Sequence, residues 1–270
     1  SLTHPRTRLS GLQNATTVVP RHRKGRQSME KPCSLTDTLQ EAPKAPVVRH
    51  PVVALDKRPL DLWEITMDRT YPVREFSHLK GLKGISDAQV EQHLKLYEGY
   101  VKQTNLIREQ LAELLAGGKA DTVAFAELNR RLPFEQNGMV LHERYFENLA
   151  PGGSELPKGG ELEKRLVESF GSVESYKKEL GAMAKMRGVG WVLTVQDPFT
   201  GWLGNRWVTL HQDGNIAGHH VILALDIWEH AWTVDHKPTE RAKYIDAFLQ
   251  NVCWETAQAR LVPPVKPVTP

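Results

Sequence analysis

The chain has 270 residues, 40% of them hydrophobic, which is enough for one large domain or two small ones with buried cores. No run of about 18 apolar residues occurs, so a membrane-spanning helix is excluded. The formal net charge of +3 is too small to indicate nucleic-acid binding by itself. The two cysteines, Cys33 and Cys253, are far apart and predict reduced thiols in a soluble intracellular protein.

Residues 1–57 differ from the rest and are predicted to form a basic, proline-rich tail and linker. The first 28 residues contain arginine and lysine but no acidic residue. Such a segment cannot bury enough apolar surface to offset its ordering entropy, so we expect it to be disordered by itself. We interpret residues 1–55 either as a solvated tail or as a basic arm that contacts RNA or an acidic partner. The composition also fits a mitochondrial transit sequence, although an amphipathic face is lacking.

Residues 60–82 are predicted to be an irregular segment packed over the domain, and a long helix is predicted to follow. Ser86 to Gln89 form a capping-box pattern, in which the serine accepts a hydrogen bond and the glutamine reaches back. Apolar and aromatic side chains then recur every three or four residues until Gly117 and Gly118 end the helix. His93 and Tyr100 share this face, so both should point into the interior.

A second helix is predicted from about Phe125 to Asn148, interrupted by Pro133. Its inner face contains His142, together with Met139, Phe146 and Leu149. Two helices joined by a short loop form a hairpin, in which His93 and His142 should face each other. A lone histidine on such a face is usually a core residue with one hydrogen bond.

The remaining segments predict a second region in which helices cover a small sheet. Helices are expected at 162–170, 172–186, 237–252 and 254–261, and strands at 188–195, 202–210 and 221–225. The fold class is therefore α+β, with an N-terminal antiparallel helical hairpin (58–151) followed by a C-terminal α/β domain (152–262) containing a three-stranded antiparallel sheet. A proline-rich tail (263–270) ends the chain.

The stretch from Asp226 to Trp232 directly follows the last predicted strand. A carboxylate at the strand end and the imidazole of His230, four residues later, can converge on one point that Trp228 and Trp232 would keep dry. This pair of ligands suits manganese or iron better than a structural zinc site. The alternative is that Asp226 caps a helix and His230 is a core histidine.

Three stretches resemble the iron/manganese superoxide dismutase family, and the resemblance covers roughly residues 85–261. Asp226 to Ala231 matches D-x-W-E-H-A, the C-terminal ligand signature of the family. The stretches around His93 with Tyr100-Val101, and around His142 with the exit loop at 148–153, resemble its two ligand helices. The resemblance implies that His93, His142, Asp226 and His230 bind one Mn or Fe ion per subunit. It also implies conversion of superoxide to oxygen and hydrogen peroxide.

The resemblance also implies roles for residues around the ion. Tyr100 would lie at the substrate channel, and Trp191 and Trp228 would form hydrophobic walls. Gly138 stands where iron-type members often have a glutamine, so the hydrogen-bond donor would come from the C-terminal half. Either His211 or Gln212 would be that donor.

The resemblance implies a homodimer, because Glu229 matches a residue that reaches the ligand histidine of the neighbouring subunit. A surface carboxylate is the alternative for Glu229. Thr233 stands where a tyrosine is usual, which weakens the expected hydrogen-bond chain between subunits. His93 and Tyr100 are seven residues apart where eight is common, so we expect a first helix without a bulge.

Two other functions compete with the superoxide dismutase. One is a structural protein with the dismutase fold, such as a mitochondrial ribosome component whose basic tail binds RNA or protein. The other is a histidine-ligated oxygenase, for which an arginine pattern that would bind a 2-oxo acid is not evident.

The compartment is expected to be the mitochondrial matrix or the bacterial cytoplasm.

Overall fold

The computed structural model describes residues 70–265, and the fold is given for these residues. All of them belong to one compact unit. The predicted tail and linker at 1–57, the first part of the irregular segment at 60–69 and the chain end from residue 266 lie outside the described residues.

The helical hairpin consists of α1 (Asp87–Ala116) and α2 (Val123–Glu147), which pack against each other. The hydroxyl of Ser86 accepts a hydrogen bond from the Gln89 N–H at 3.1 Å and so begins α1 as predicted. Every residue of α1 is α-helical, which confirms the expected helix without a bulge. A short 3₁₀ helix, Ser77–Leu79, precedes it and buries Leu79.

The capping box at the start of α1 is only half formed, and the prediction for Gln89 was wrong. The Gln89 side chain does not reach back to Ser86 but forms hydrogen bonds with the backbone of His230 and Val234. Gln89 is 1% exposed, so its amide needs partners inside the protein. The backbone of the 230–234 segment provides them.

The predicted interruption at Pro133 was also wrong, because α2 continues through it. A proline inside a helix removes one backbone hydrogen bond and costs about 3 kcal/mol. Pro133 is exposed, so the carbonyl group that loses its partner can bond to water and the helix can curve away from the ring. The packing of α2 against α1 also supports the helix.

The C-terminal half contains α3 (Glu161–Phe170) and α4 (Val173–Ala184), which are followed by a three-stranded sheet. The strands β1 (Gly190–Gln196), β2 (Leu203–Thr209) and β3 (His220–Asp226) are antiparallel and lie in the order β2-β1-β3. The helices α5 (Arg241–Asn251) and α6 (Trp254–Ala259) end the fold. The α+β class and the antiparallel sheet are therefore confirmed.

The two halves meet where α2 packs against β3. Every residue of the central strand β1 is buried, and its Trp191 pairs with Asp226, the last residue of β3. The hydroxyl of Tyr244, on α5, donates to the Asp226 carbonyl oxygen at 2.7 Å and holds the end of the strand. Among residues 70–265, no helix is both long enough and apolar enough to cross a membrane.

Candidate metal centre

The helical hairpin places two histidines at the junction with the sheet. His93 on α1 and His142 on α2 have side chains that are 2% and 0% exposed. Nδ1 of His142 lies 2.6 Å from the carbonyl oxygen of Gly138, one helical turn earlier, and donates to it. Nε2 of His142 is therefore the nitrogen with a free lone pair, and it faces the end of β3.

The end of β3 and the turn after it place the other two residues. Asp226 is fully buried, and its Oδ1 accepts a hydrogen bond from the Trp228 N–H at 2.8 Å. Its Oδ2 therefore points towards the histidines. His230 lies in the 3₁₀ helix Glu229–Ala231, and its side chain is 24% exposed.

The four side chains converge as predicted. Oδ2 of Asp226 lies 3.1 Å from Nε2 of His93, 3.1 Å from Nε2 of His230 and 3.6 Å from Nε2 of His142. The four ligand atoms are all within 4.8 Å of one another. Atoms that share an ion at about 2.1 Å are about 3.0–3.6 Å apart at bond angles of about 90–120°. The measured distances to the carboxylate oxygen therefore fit one ion held between these residues.

The protonation states also suit a metal ion. Burial acts to raise the pKa of Asp226, but the neighbouring His230 and His93 outweigh it and the pKa is lowered, so the carboxylate stays ionised. Burial lowers the pKa of His93 and lowers that of His142 further. Both imidazoles are therefore neutral at physiological pH, which is the form that binds metals.

A buried hydrogen-bonded chain lies beside the four residues. Trp191 Nε1, which can only donate, lies 3.0 Å from Nδ1 of His211. In the neutral ring, Nε2 of His211 therefore carries the hydrogen, and it donates to the hydroxyl oxygen of Tyr100 at 2.8 Å. Burial raises the pKa of Tyr100 and lowers that of His211 to about 4, so both side chains are neutral at physiological pH.

The sequence left His211 and Gln212 as alternatives, and the structure brings only His211 to Tyr100. His211 is fully buried, whereas Gln212 is partly exposed. The side-chain oxygen of Gln212 accepts a hydrogen bond from the His211 N–H at 3.3 Å and makes no contact with the four converging residues. Between these two candidates, the geometry favours His211.

Aromatic side chains enclose this region. The ring of Trp228 stacks on His211 at 5.1 Å and on His230 at 5.7 Å, and Trp191 packs edge-on against His142 at 5.0 Å. Trp232 is 3% exposed, and its predicted shielding role stays a prediction. Glu229 is exposed at the protein surface, next to His230.

Sequence reasoning missed two residues near the centre. Gln89 was assigned to the helix cap, although its position one turn before His93 places it on the inner face of α1. Phe134, which follows Pro133, was not among the residues that the sequence placed on the inner face of the second helix. Its ring lies 4.6 Å from that of His211 and 6.1 Å from that of Tyr100. The eight-residue spacing from Phe134 to His142 could have placed it on the inner face.

A helical hairpin and a small antiparallel sheet that enclose three histidines and one aspartate define the chain as an α+β protein with a side-chain cluster that could hold one metal ion. Residues 157–260 match the C-terminal domain of iron/manganese superoxide dismutases. The chain is 37% identical over 188 residues to a superoxide dismutase (Fe) from Cupriavidus metallidurans, covering 68% of this chain and 92% of that protein. It is 38% identical over 164 residues to superoxide dismutase (Mn) 2 from Haloferax volcanii, covering 61% of this chain and 80% of that protein. The chain belongs to the iron/manganese superoxide dismutase family.

Proposed function

We propose that this chain is a superoxide dismutase that uses one Mn or Fe ion per subunit. The observation that carries the proposal is the convergence of four ligand atoms in a chain that belongs to this family. The reaction consumes two superoxide anions and two protons and yields one oxygen and one hydrogen peroxide. The bound ion would supply the one-electron chemistry, taking an electron from one superoxide and giving it to the next.

His93, His142, Asp226 and His230 are the proposed metal ligands. The ionised carboxylate and the neutral imidazoles of His93 and His142 present lone pairs towards one point, and the ring of His230 faces the same point, in a setting from which water is largely excluded. A purely structural protein would gain nothing from this arrangement, because a buried carboxylate is costly unless a partner or an ion neutralises it. The arrangement thus supports an enzyme over the structural alternative.

Tyr100 and His211 are the proposed groups that hold a proton beside the centre. Since Nε2–H of His211 donates to the Tyr100 oxygen, the hydrogen of the Tyr100 hydroxyl is directed elsewhere and can be offered to substrate or solvent. Trp191 fixes this direction by occupying Nδ1 of His211. Trp191 and Trp228 are the proposed hydrophobic walls.

A homodimer is proposed from the position of Glu229. Glu229 is exposed directly beside His230, the only one of the four proposed ligands whose side chain is substantially exposed. In a dimer, Glu229 would reach the ligand histidine of the neighbouring subunit. Thr233 is exposed and lacks the aromatic hydroxyl usual there, so this contact would depend more on Glu229.

We also propose a domain organisation. The hairpin segment (58–151) and the α/β segment (152–262) would be the two domains that share the ion.

Two further proposals concern the basic residues and the compartment. The basic residues at 1–55 would contact RNA or an acidic partner, and co-sedimentation with ribosomes before and after their deletion is the test. The compartment would be the mitochondrial matrix or the bacterial cytoplasm.

Metal content and superoxide turnover test the function directly. We expect about one Mn or Fe per subunit by elemental analysis, together with turnover. Asp226→Asn should reduce metal content and lower turnover more than about 100-fold, because it removes the charge shared by three histidines. Asp246→Asn, at an exposed position on α5, is the matched control and should change neither. Purified protein that binds no Mn or Fe, or binds it without turnover, would contradict the proposal.

A further inference from the structure

Gln89 connects two of the proposed ligands through the backbone. It lies on α1 one helical turn before His93, and its side chain is buried. Its Nε2 donates to the carbonyl oxygen of His230 at 2.6 Å, and its Oε1 accepts a hydrogen bond from the Val234 N–H at 2.9 Å. One side chain thus joins the helix that contains one ligand to the turn that contains another.

The chemistry of these two contacts requires an amide. The backbone of the turn presents one acceptor and one donor, and a glutamine ends in an NH2 group that donates and a carbonyl oxygen that accepts. The two partners therefore also fix which way the Gln89 amide points. An apolar side chain of the same length would leave the carbonyl group of His230 and the N–H group of Val234 without this partner.

His230 is the proposed ligand that most needs such support. Its side chain is 24% exposed, whereas those of the other three are at most 2% exposed. It lies in a three-residue 3₁₀ helix, a structure with poor hydrogen-bond geometry. The N–H of Ser86 donates to Oδ2 of Asp235 at 2.7 Å, so a third hydrogen bond ties the same segment to the beginning of α1.

We propose that Gln89 is a positioning residue that holds His230 at the distance from His93 at which both bind one ion. The inference rests on the proposed function, because it assigns Gln89 a role at the same metal centre. Gln89 acts through the backbone of the turn and does not touch the ion. Its loss should therefore weaken retention of the ion.

The test compares Gln89→Met with Asn105→Leu. Asn105 also lies on α1, and its side chain makes the same pair of hydrogen bonds to a backbone segment, donating to the Tyr71 carbonyl oxygen at 2.8 Å and accepting from the Tyr71 N–H at 2.9 Å. That segment contains no proposed ligand. Each variant loses one donor and one acceptor contact, so the difference between them isolates the placement of His230.

The measurement is the rate at which Mn-loaded protein releases its ion to excess chelator, well below the unfolding temperature. Gln89→Met should release Mn about 10–100-fold faster than wild type, as expected when a residue that orients a ligand is lost. Asn105→Leu should release it at close to the wild-type rate. Hydrogen exchange at the Val234 amide should accelerate only in Gln89→Met.

The outcomes separate this inference from the proposed function. Equal acceleration of Mn release in both variants, or an unchanged rate in Gln89→Met, would overturn the role of Gln89 while the dismutase proposal stands. Unchanged exchange at the Val234 amide in Gln89→Met would overturn it as well. Wild-type protein that does not bind Mn or Fe at all would overturn the proposed function and this inference together.

Discussion

The centre is built from two regions that position their side chains in different ways. The hairpin supplies His93, Tyr100 and His142 from regular helices, whose geometry sets the direction of each side chain. The C-terminal half supplies His211 and His230 from turns that follow β2 and β3. These segments are too short for a repeating backbone geometry to set the direction, since the 3₁₀ helix around His230 has only three residues, and hydrogen bonds from distant residues take its place.

Several of these distant hydrogen bonds are visible in the structure. Gln89 binds the turn that contains His230, and Trp191 binds the ring of His211. The Trp228 indole N–H donates to the carbonyl oxygen of Leu210 at 3.3 Å, which links the two turns. Changes in the hairpin should therefore act by packing, whereas changes in the turns should act by charge, hydrogen bonding and backbone conformation.

The largest expected effect is on the pH dependence of the free energy of unfolding, and it comes from His211. Burial is the main cause that lowers its pKa to about 4, with smaller effects in the same direction from His230 and Arg131 and an opposing one from Asp226. The hydroxyl of Tyr100 also faces this ring. In the unfolded chain the pKa of histidine is about 6.5.

The unfolded state therefore binds more protons than the folded state between about pH 6.5 and about pH 4. The contribution of the neutral His211 ring to the free energy of unfolding is fully present above about pH 6.5. It is lost as the pH falls towards 4, by up to about 3 kcal/mol. Denaturant unfolding from pH 7.5 to pH 4.5 should show a smaller loss for His211→Gln than for wild type. Gln212→Ala, next to it, should keep the wild-type dependence, and equal dependence in wild type and His211→Gln would contradict the assignment.

The same contrast explains which parts of the site the sequence predicts. Helical periodicity was enough to place His93 and His142 on facing sides of the hairpin, because side-chain direction follows from the spacing. The assignment of four ligands depended on resemblance to the family, since periodicity cannot tell a ligand from a core histidine. His211 and Gln212 remained alternatives because adjacent residues in a turn have no fixed direction. Gln89 was misassigned because a local capping pattern says nothing about contacts 141 residues away.

The next largest effect lies in the hairpin and concerns Gly138. A Cβ atom at this position would lie 2.6 Å from the ring of Tyr100. Gly138→Ala should therefore push the ring away from His211, and it should lower stability by about 1–3 kcal/mol and slow turnover. Gly99, on α1, has open space around its Cβ position, so Gly99→Ala should raise stability by about 1 kcal/mol through helix propensity alone. Denaturant unfolding should show a lower free energy of unfolding for Gly138→Ala and a higher one for Gly99→Ala, which would confirm that Gly138 makes room for the Tyr100 ring. A higher free energy of unfolding in both variants would refute it.

The smallest effect concerns the backbone of Leu210, directly before His211. Leu210 has φ +56°, a region that disfavours side chains with a Cβ, and β-branched ones most of all. We therefore expect Leu210→Asn to be more stable than Leu210→Val by about 1 kcal/mol, even though valine is the more apolar residue. Leu261 is also partly buried but does not have a positive φ, so there the valine variant should be the more stable one. If valine were preferred at both positions, packing and not backbone conformation would place His211, and the contrast between the turns and the hairpin would not hold.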